Sequence, residues 1–270
     1  MADEWWIKAA SRPIRPVRVD PSVPNVARVW DFLIGGRDNF DTDRRAARQL
    51  VAASPVMARL PSASRAFLRR AVRYLAAEAG IRQFLDIGTG MPSAGNTHEV
   101  AQAVDPSCRV VLVDNDPVVL SHARAMLRSS EDGVVSYLDA DARDTQVVID
   151  GARATLDLAL PVGVIMIDLL NFLEDAAGVV SRLADALPAG SHLAVLQPSR
   201  DERLVVAARR WNQLADSPVF LRDRDEVACW LAGLELVDPG IVEVEQWRPA
   251  PGDPKFPDSI PLLAAVARKP

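Results

Sequence analysis

Cysteine is scarce in this 270-residue chain, which contains only Cys108 and Cys229. The two lie far apart in the sequence, and neither falls in a metal-ligand spacing. A chain of this length can bury a sizeable core without disulfide or metal staples. Two isolated cysteines beside a charged, signal-free start are typical of a reducing compartment. We therefore expect a cytoplasmic protein without a disulfide framework and without a metal site.

The sequence also lacks an excess of positive charge and any long apolar run. Its 31 basic residues stand against 36 acidic ones, which gives a formal net charge of −5. Such a chain has no overall field that gathers nucleic acid or an anionic membrane surface. No apolar run approaches the roughly 18 residues that span a bilayer. The favoured partner is therefore a small molecule, with neither nucleic acid nor membrane expected.

What the sequence does contain, after residue 80, is a regular alternation of short apolar runs with amphipathic segments. Nearly continuous apolar runs are typical of strands buried on both faces of a parallel sheet. Their alternation with helical segments predicts an open, doubly wound, Rossmann-like α/β sheet. The predicted strands are 83–87, 109–113, 134–138, 162–167, 192–197, 241–246 and 262–267. The predicted helices are about 96–104, 117–129, 145–158, 176–187, 200–214 and 223–234. No helix separates the last two strands, so at least one of them is expected to run antiparallel.

The first 80 residues have a different character. Residues 1–24 carry prolines and scattered arginines without an apolar period, which indicates an irregular arm. Apolar residues then recur at three- and four-residue spacings, which predicts helices over 26–34, 41–53 and 62–79. We predict three segments: an arm at 1–24, a helical cap or lid at 25–80, and an α/β domain at 81–270.

The first predicted strand ends in a tight glycine-bearing turn, Asp86-Ile-Gly88-Thr-Gly90. In an open α/β sheet the ligand binds beyond the carboxyl ends of the strands, and glycine lets the backbone approach it closely. Asp86 would repel a pyrophosphate at this turn, and Ser93 replaces the third glycine of a dinucleotide fingerprint. The turn therefore favours a cationic ligand.

Further carboxylates follow the next three strands. Asp114 could accept two hydrogen bonds from ribose hydroxyls. Asp141 could accept one from an adenine amino group, although Asp141 or one of its neighbours Asp139 and Asp144 could instead cap the following helix. Asp168 follows the fourth strand. Several like charges around one crevice are costly unless a cationic or donor-rich ligand occupies it.

Together these motifs resemble those of class I S-adenosylmethionine-dependent methyltransferases. More narrowly, the chain is similar to an actinobacterial methyltransferase family of unknown substrate over about residues 20–270. The motifs that carry this resemblance are Pro24-Asn-Val-Ala-Arg28, Gly35-Gly-Arg-Asp-Asn39-Phe, Asp86-Ile-Gly-Thr-Gly90, Asn96-Thr-His98-Glu99-Val, Val113-Asp-Asn-Asp-Pro117 and Gln246-Trp-Arg-Pro249.

The resemblance implies a sheet of about seven strands with an antiparallel last strand, and S-adenosyl-L-methionine as cofactor. It implies that Asp86, Gly88, Thr89 and Gly90 hold the methionine part of the cofactor. Asp114 would hold the ribose and Asp141 the adenine, with Asn115 and Ala142 beside them as further cofactor-binding residues.

The segment Gly35–Phe40, between the first two predicted helices, has two interpretations. It could be a plain interhelix loop with a glycine at the end of the helix. It could instead be a lid over the crevice, in which Arg37 pairs with the cofactor carboxylate and Asn39 or Phe40 lines the substrate pocket. We favour the lid, because a plain loop needs only one glycine.

Two residues are candidate general bases, Asp168 and His98. Asn96 and Glu99 have the spacing of a capping box, which would put His98 in the first helical turn after the glycine loop. His98 could serve as a base there or simply pack. An oxygen or nitrogen acceptor could use such a group, although positioning alone could also suffice.

These observations predict a methyltransferase that transfers a methyl group from S-adenosylmethionine to an unidentified, small-molecule acceptor. One alternative is a non-catalytic sensor that binds S-adenosylmethionine or S-adenosylhomocysteine. The other is a nicotinamide-dependent oxidoreductase, against which Asp86 and the missing third glycine argue. Stabilisation by NAD or by S-adenosylhomocysteine separates the oxidoreductase from the methyltransferase.

Overall fold

The computed structural model describes residues 20–126 and 128–270, with a mixed sheet at the centre of the molecule. Residues 1–19 of the predicted arm lie outside the described residues. The strands within the described part are β1 (Gln83–Ile87), β2 (Arg109–Asp114), β3 (Val134–Asp139), β4 (Gly163–Ile167), β5 (His192–Pro198), β6 (Glu235–Leu236), β7 (Val242–Glu243) and β8 (Leu262–Arg268).

Three α-helices precede the first strand among the described residues, and the others lie between the strands that follow. The helices of the described residues are α1 (Val26–Leu33), α2 (Asp41–Ala53), α3 (Leu60–Ala77), α4 (Thr97–Val104), α5 (Pro117–Met126), α6 (Thr145–Ala152), α7 (Ala176–Ala186), α8 (Glu202–Trp211) and α9 (Arg224–Trp230). None of these helices is long and apolar enough to cross a bilayer.

The sheet has the order β3-β2-β1-β4-β5-β8-β6, and β7 also pairs with β8. Strands β1 to β5 are parallel, whereas β8 runs antiparallel to β5, β6 and β7. The predicted doubly wound sheet and its antiparallel last strand are confirmed. Because the order reverses between β1 and β4, a ligand crevice is expected beyond the carboxyl ends of these two strands.

The central strands of the sheet are buried on both faces, as the apolar runs predicted. Every residue of β1 is buried, and successive side chains enter opposite core clusters. Phe84 lies in the cluster that contains Phe67 and Leu75 of α3, whereas Leu85 lies in the cluster that contains Val179 of α7. Helix α3 therefore packs on the sheet and shares its core.

The structure differs from the sequence-based prediction after residue 230. Only Val242–Glu243 of the predicted strand 241–246 pairs with β8, and the chain then forms a 3-10 turn at Val244–Gln246. The buried Arg70 side chain donates from Nε to the carbonyl oxygen of Trp247 at 2.7 Å and from a terminal nitrogen to that of Val244. These carbonyls bond an arginine from α3 instead of a strand partner, so tertiary contact overrides strand propensity here.

Candidate functional site

A cavity of about 320 Å³ opens at the switch point of the sheet. Its floor consists of the residues that end or follow β1, β2, β3 and β4, and its opposite wall of side chains from α1 and α3. Of the predicted site residues, those that line it are Asp86, Gly88, Thr89, Gly90, Asp114, Asn115, Asp141, Ala142 and Asp168.

The turn after β1 needs its glycines for backbone reasons. Gly88 has φ +75° and Gly90 φ +67°, a left-handed conformation that side-chain-bearing residues adopt at a cost. The amides of Gly88 and Thr89 donate to the carbonyl oxygen of Val113 at 2.8 and 3.1 Å. The turn is thereby bonded to the end of β2.

Asp86 is buried at the floor of the cavity, with 4% of its surface exposed. One carboxylate oxygen accepts hydrogen bonds from Thr97 Oγ1 at 2.7 Å and Thr89 Oγ1 at 3.1 Å. Burial raises the pKa of Asp86 to about 6, although these hydroxyls and the charge of Arg65 act in the opposite direction. A cationic group in the cavity would favour the ionised form further.

Asp114 ends β2 on the neighbouring side of the turn. Its carboxylate accepts the amide of Gly90 at 2.9 Å through one oxygen and the amide of Asp116 at 2.9 Å through the other. Burial raises the pKa of Asp114 to about 6 against these two hydrogen bonds. A hydroxyl donor that reached this carboxylate would stabilise its charge.

Asp141 has a partner within its own loop. Both of its oxygens bond the Arg143 side chain, and Asn115 Nδ2 donates to Oδ2 at 3.3 Å. The hydrogen bond from Arg143 is the main reason that the pKa of Asp141 lies below its usual value. A ligand amino group would share this carboxylate with the guanidinium.

Arg65 of α3 is a cavity residue that the sequence analysis did not identify. Its guanidinium donates to Asn96 Oδ1 at 2.6 Å and to the carbonyl oxygen of Ser93 at 3.2 Å, so it is held beside the glycine turn. Arg65 and Arg143 are the two basic residues among the described residues that line the cavity, and Arg143 is paired with Asp141. In the sequence, an arginine of an amphipathic helix that lines a cavity cannot be distinguished from one that faces solvent.

The remaining predicted site residues do not line the cavity. Arg37 is exposed and does not line the cavity. Asn39 donates from Nδ2 to Asp31 Oδ2 at 2.8 Å, and neither Asn39 nor Phe40 lines the cavity. His98 is buried in α4 away from the cavity wall, and burial lowers its pKa.

Asp168 follows β4 and faces α1 across the cavity. Its Oδ2 accepts a hydrogen bond from Trp30 Nε1 at 2.9 Å, which links the helical segment to the sheet. Asp168 has φ +55°, a strained conformation for a residue with a side chain. Burial raises the pKa of its carboxyl group. The residue therefore presents a carboxylate of increased basicity at the edge of the cavity.

Comparison with known proteins identifies the family of the chain. The family model described as S-adenosyl methyltransferase matches residues 13–270. The chain belongs to the S-adenosyl methyltransferase family. Two solved structures support this: a DUF574 family protein from Streptomyces avermitilis and a protein from Thermobifida fusca described as a candidate methyltransferase. The first has 40% identity and a TM-score of 0.90, with 94% of this chain and 100% of that chain covered. The second has 36% identity and a TM-score of 0.85, with 96% and 99% covered. No curated protein matches the chain.

The methyltransferase accordingly uses S-adenosylmethionine, and the residues of the cavity fit this cofactor. An open, left-handed glycine turn lies between two carboxylates that burial holds at raised pKa, Asp86 and Asp114. A Cβ built at Gly90 would meet no atom within 4 Å, so the space beside this backbone is free for a ligand. The predicted family, fold, enzyme class and cofactor are confirmed.

Proposed function

We propose that this methyltransferase holds S-adenosylmethionine in the 320 Å³ cavity and methylates a small molecule beside Asp168. The observation that carries the proposal is the pair of carboxylates, Asp86 and Asp114, on either side of the glycine turn. Burial raises the pKa values of both carboxyl groups to about 6, because it disfavours their charged forms. A cationic ligand with several hydrogen-bond donors would stabilise those charged forms.

Each end of the cofactor has a matching group. We assign its ammonium group to Asp86 and its carboxylate to Arg65, because Arg65 lines the cavity and Arg37 does not. We assign the ribose hydroxyls to Asp114. The adenine would lie against Ala142, with Asn115 and Asp141 offering hydrogen bonds at its edge.

The bound cofactor supplies an electrophilic methyl group on a positively charged sulfur. The protein contributes by positioning the methyl group and the acceptor relative to each other. Holding two reactants in line lowers the activation barrier by about 7–11 kcal/mol in favourable cases. Asp168 accepts the acceptor's proton, because it lies at the cavity edge and burial raises its pKa. We assign no base function to His98, which lies outside the cavity wall.

The charges of the site favour a small acceptor over a nucleic acid. Aspartates outnumber arginines among the described residues that line the cavity, and Asp141 already neutralises Arg143. A polyphosphate strand would meet repulsion at this mouth instead of the cationic surface it requires. The chain's formal net charge of −5 adds to that repulsion.

Calorimetry with S-adenosylhomocysteine tests the site. Asp114→Ala should weaken binding by about tenfold or more, since it removes a ribose acceptor. Asp139→Ala is the matched control, because Asp139 is the exposed register partner of Asp114 on β3 and does not line the cavity. Equal affinity for the two variants would remove Asp114 from the site.

A further inference from the structure

A second, smaller chamber of about 50 Å³ adjoins the cofactor cavity. The two share Val26, Trp30, Asp168 and Phe172 as lining residues, so they meet at the Trp30–Asp168 hydrogen bond. The chamber lies between α1, the start of α3 and α8. Its largest apolar walls are Trp30, Phe172, Trp211, Leu50, Leu60 and Met57.

The aromatic walls form a surface that suits a flat ring. Phe172 and Trp211 pack edge to face with ring centroids 6.3 Å apart. The indole Nε1 of Trp211 donates to the carbonyl oxygen of Ser217 at 2.7 Å, and that of Trp30 donates to Asp168. With both indole donors paired inside the protein, the ring surfaces offer apolar contact alone.

Two polar side chains interrupt these apolar walls, Asp168 and Asn171. Asn171 is 5% exposed, lines the chamber, and its Oδ1 has no hydrogen-bond partner among the described residues. Its main chain is held in a 3-10 turn, and its carbonyl oxygen accepts the amide of Phe220 at 2.7 Å. A buried, unpaired amide oxygen is costly unless a ligand supplies a donor.

The charges around the chamber select against anions and against permanent cations. None of the described residues that line it is lysine, arginine or histidine, and Asp168 is its one acidic group. A carboxylate or phosphate would meet the negative charge of Asp168 without a compensating cation. An ammonium group would lose its hydration among apolar walls and would lack the lone pair needed to accept a methyl group.

We propose that this chamber is the acceptor subsite and that it takes a neutral aromatic hydroxyl compound. The chamber is smaller than the roughly 150 Å³ of a cavity that holds benzene, so the ring lies at the boundary with the cofactor cavity, against Phe172, and enters the chamber only in part, towards Trp211. The hydroxyl donates to Asp168, which also lines both spaces. A second donor on the acceptor, where present, bonds Asn171 Oδ1. The proposal rests on the proposed function for its catalytic meaning, whereas occupation of the chamber is measurable by itself.

Three matched fluorinated probes test this chemistry: 4-fluorophenol, 4-fluoroanisole and 4-fluorobenzoate. Each is titrated into the protein and followed by fluorine NMR, with and without S-adenosylhomocysteine. The phenol should bind about tenfold more tightly than the anisole, which has no donor, and than the benzoate, which is anionic. Asp168→Asn should bring the phenol and benzoate affinities within about threefold of each other, because the repelling charge is gone.

Filling the chamber provides the second arm. Ala208 on α8 lines the chamber but not the cofactor cavity, so Ala208→Leu should weaken the phenol by about tenfold and leave S-adenosylhomocysteine affinity unchanged. Ala52→Leu on the exposed surface of α2 is the matched control and should change neither. Val219→Phe fills the chamber from a loop and replaces Ala208→Leu if that variant does not fold.

The outcomes separate the two proposals. Equal affinity for the three probes, or unchanged phenol affinity in the filling variant that folds, overturns the acceptor subsite even when S-adenosylhomocysteine binds. Failure to bind S-adenosylhomocysteine overturns the cofactor site, and the titration without it still reports on the chamber.

Discussion

Two segments of this methyltransferase, Gly35–Phe40 and Asp86–Gly90, each contain two glycines and polar residues, but their surroundings differ. The turn Gly88–Gly90 faces the cofactor cavity, and a Cβ at Gly90 would meet no atom within 4 Å. A Cβ at Gly36, in the loop after α1, would lie 1.9 Å from Asp31 Oδ1. One glycine leaves space for a ligand, and the other leaves space for a carboxylate of the same chain.

The loop after α1 is held by two buried carboxylates. Asp31 accepts the amide of Asp38 at 2.9 Å and the side chain of Asn39. Asp43 accepts the amide of Phe40 at 2.8 Å and pairs with Arg28 at 2.8 Å. Asn39 and the amides of Asp38 and Phe40 are therefore engaged within their own segment, and Arg37 is exposed outside the cavity. Glycine and polar residues between helices do not by themselves indicate ligand contact.

The largest expected effect comes from breaking this internal network. Asp43→Ala leaves Arg28 buried without its partner and should lower the free energy of unfolding by about 3–5 kcal/mol. Asp41→Ala, which removes exposed ion pairs at the start of the same helix, is the control and should change it little. Denaturant titration measures both, and equal effects would show that the network does not stabilise the loop.

Alanine at the two glycines should separate stability from ligand binding. Gly36→Ala must displace Asp31, which also lines the cavity, and should cost about 1–3 kcal/mol of unfolding free energy while weakening S-adenosylhomocysteine less than Gly90→Ala does. Gly90→Ala should cost about 1 kcal/mol through its positive φ. The same change should weaken the ligand by about tenfold, because the new methyl group enters its space. If Gly36→Ala weakened the ligand more than Gly90→Ala did, the loop after α1 and not the turn after β1 would be the ligand-binding segment.

Ligand binding should depend on pH through Asp86 and Asp114. Both have folded pKa values raised to about 6, so protonation between about pH 7 and pH 5 removes the charges that bind the ligand. Affinity for S-adenosylhomocysteine should fall by about tenfold or more over this window, with protons released on binding near pH 6. For the free protein the sign is opposite: these two raised pKa values favour the folded state as the pH falls through about 6, until the unfolded carboxyls also protonate near 4. A flat affinity profile across this window would contradict the assignment.

The smallest effect expected is that of the cavity arginine. Arg65→Met should weaken S-adenosylhomocysteine by about fivefold, since one charged partner of its carboxylate is lost. Arg37→Met, on the exposed loop, should leave the affinity within about twofold. Calorimetry measures both variants. A larger effect of Arg37→Met than of Arg65→Met would show that Arg37, not Arg65, binds the cofactor carboxylate.

The strands were predictable because their signal is local. The runs at β1, β2 and β5 are mostly apolar, and their observed bounds differ from the predicted ones by at most one residue. The acids at the ends of β1 and β2 were predictable for the same reason, since parallel strands end at one edge of the sheet. Strand β6 was missed because two exposed residues, Glu235 and Leu236, carry no periodicity.

Other features depended on distant partners and were not predictable. Arg65 lies 21 positions before Asp86, and its position in the cavity follows from the packing of α3 beside the glycine turn. The turn at Val244–Gln246 follows from hydrogen bonds to Arg70, which is more than 170 positions away. No window along the sequence contains both partners of such a contact.

The sequence by itself therefore determined the order of strands and helices, the glycine turn and the row of carboxylates at the strand ends. These properties arise from side-chain periodicity and turn geometry within a few residues. Only the tertiary structure decided which charges face a ligand and which neutralise each other, as Arg65 and Arg28 show. Burial and ion pairing depend on the separation of groups in space, and folding alone brings together residues that the chain keeps apart.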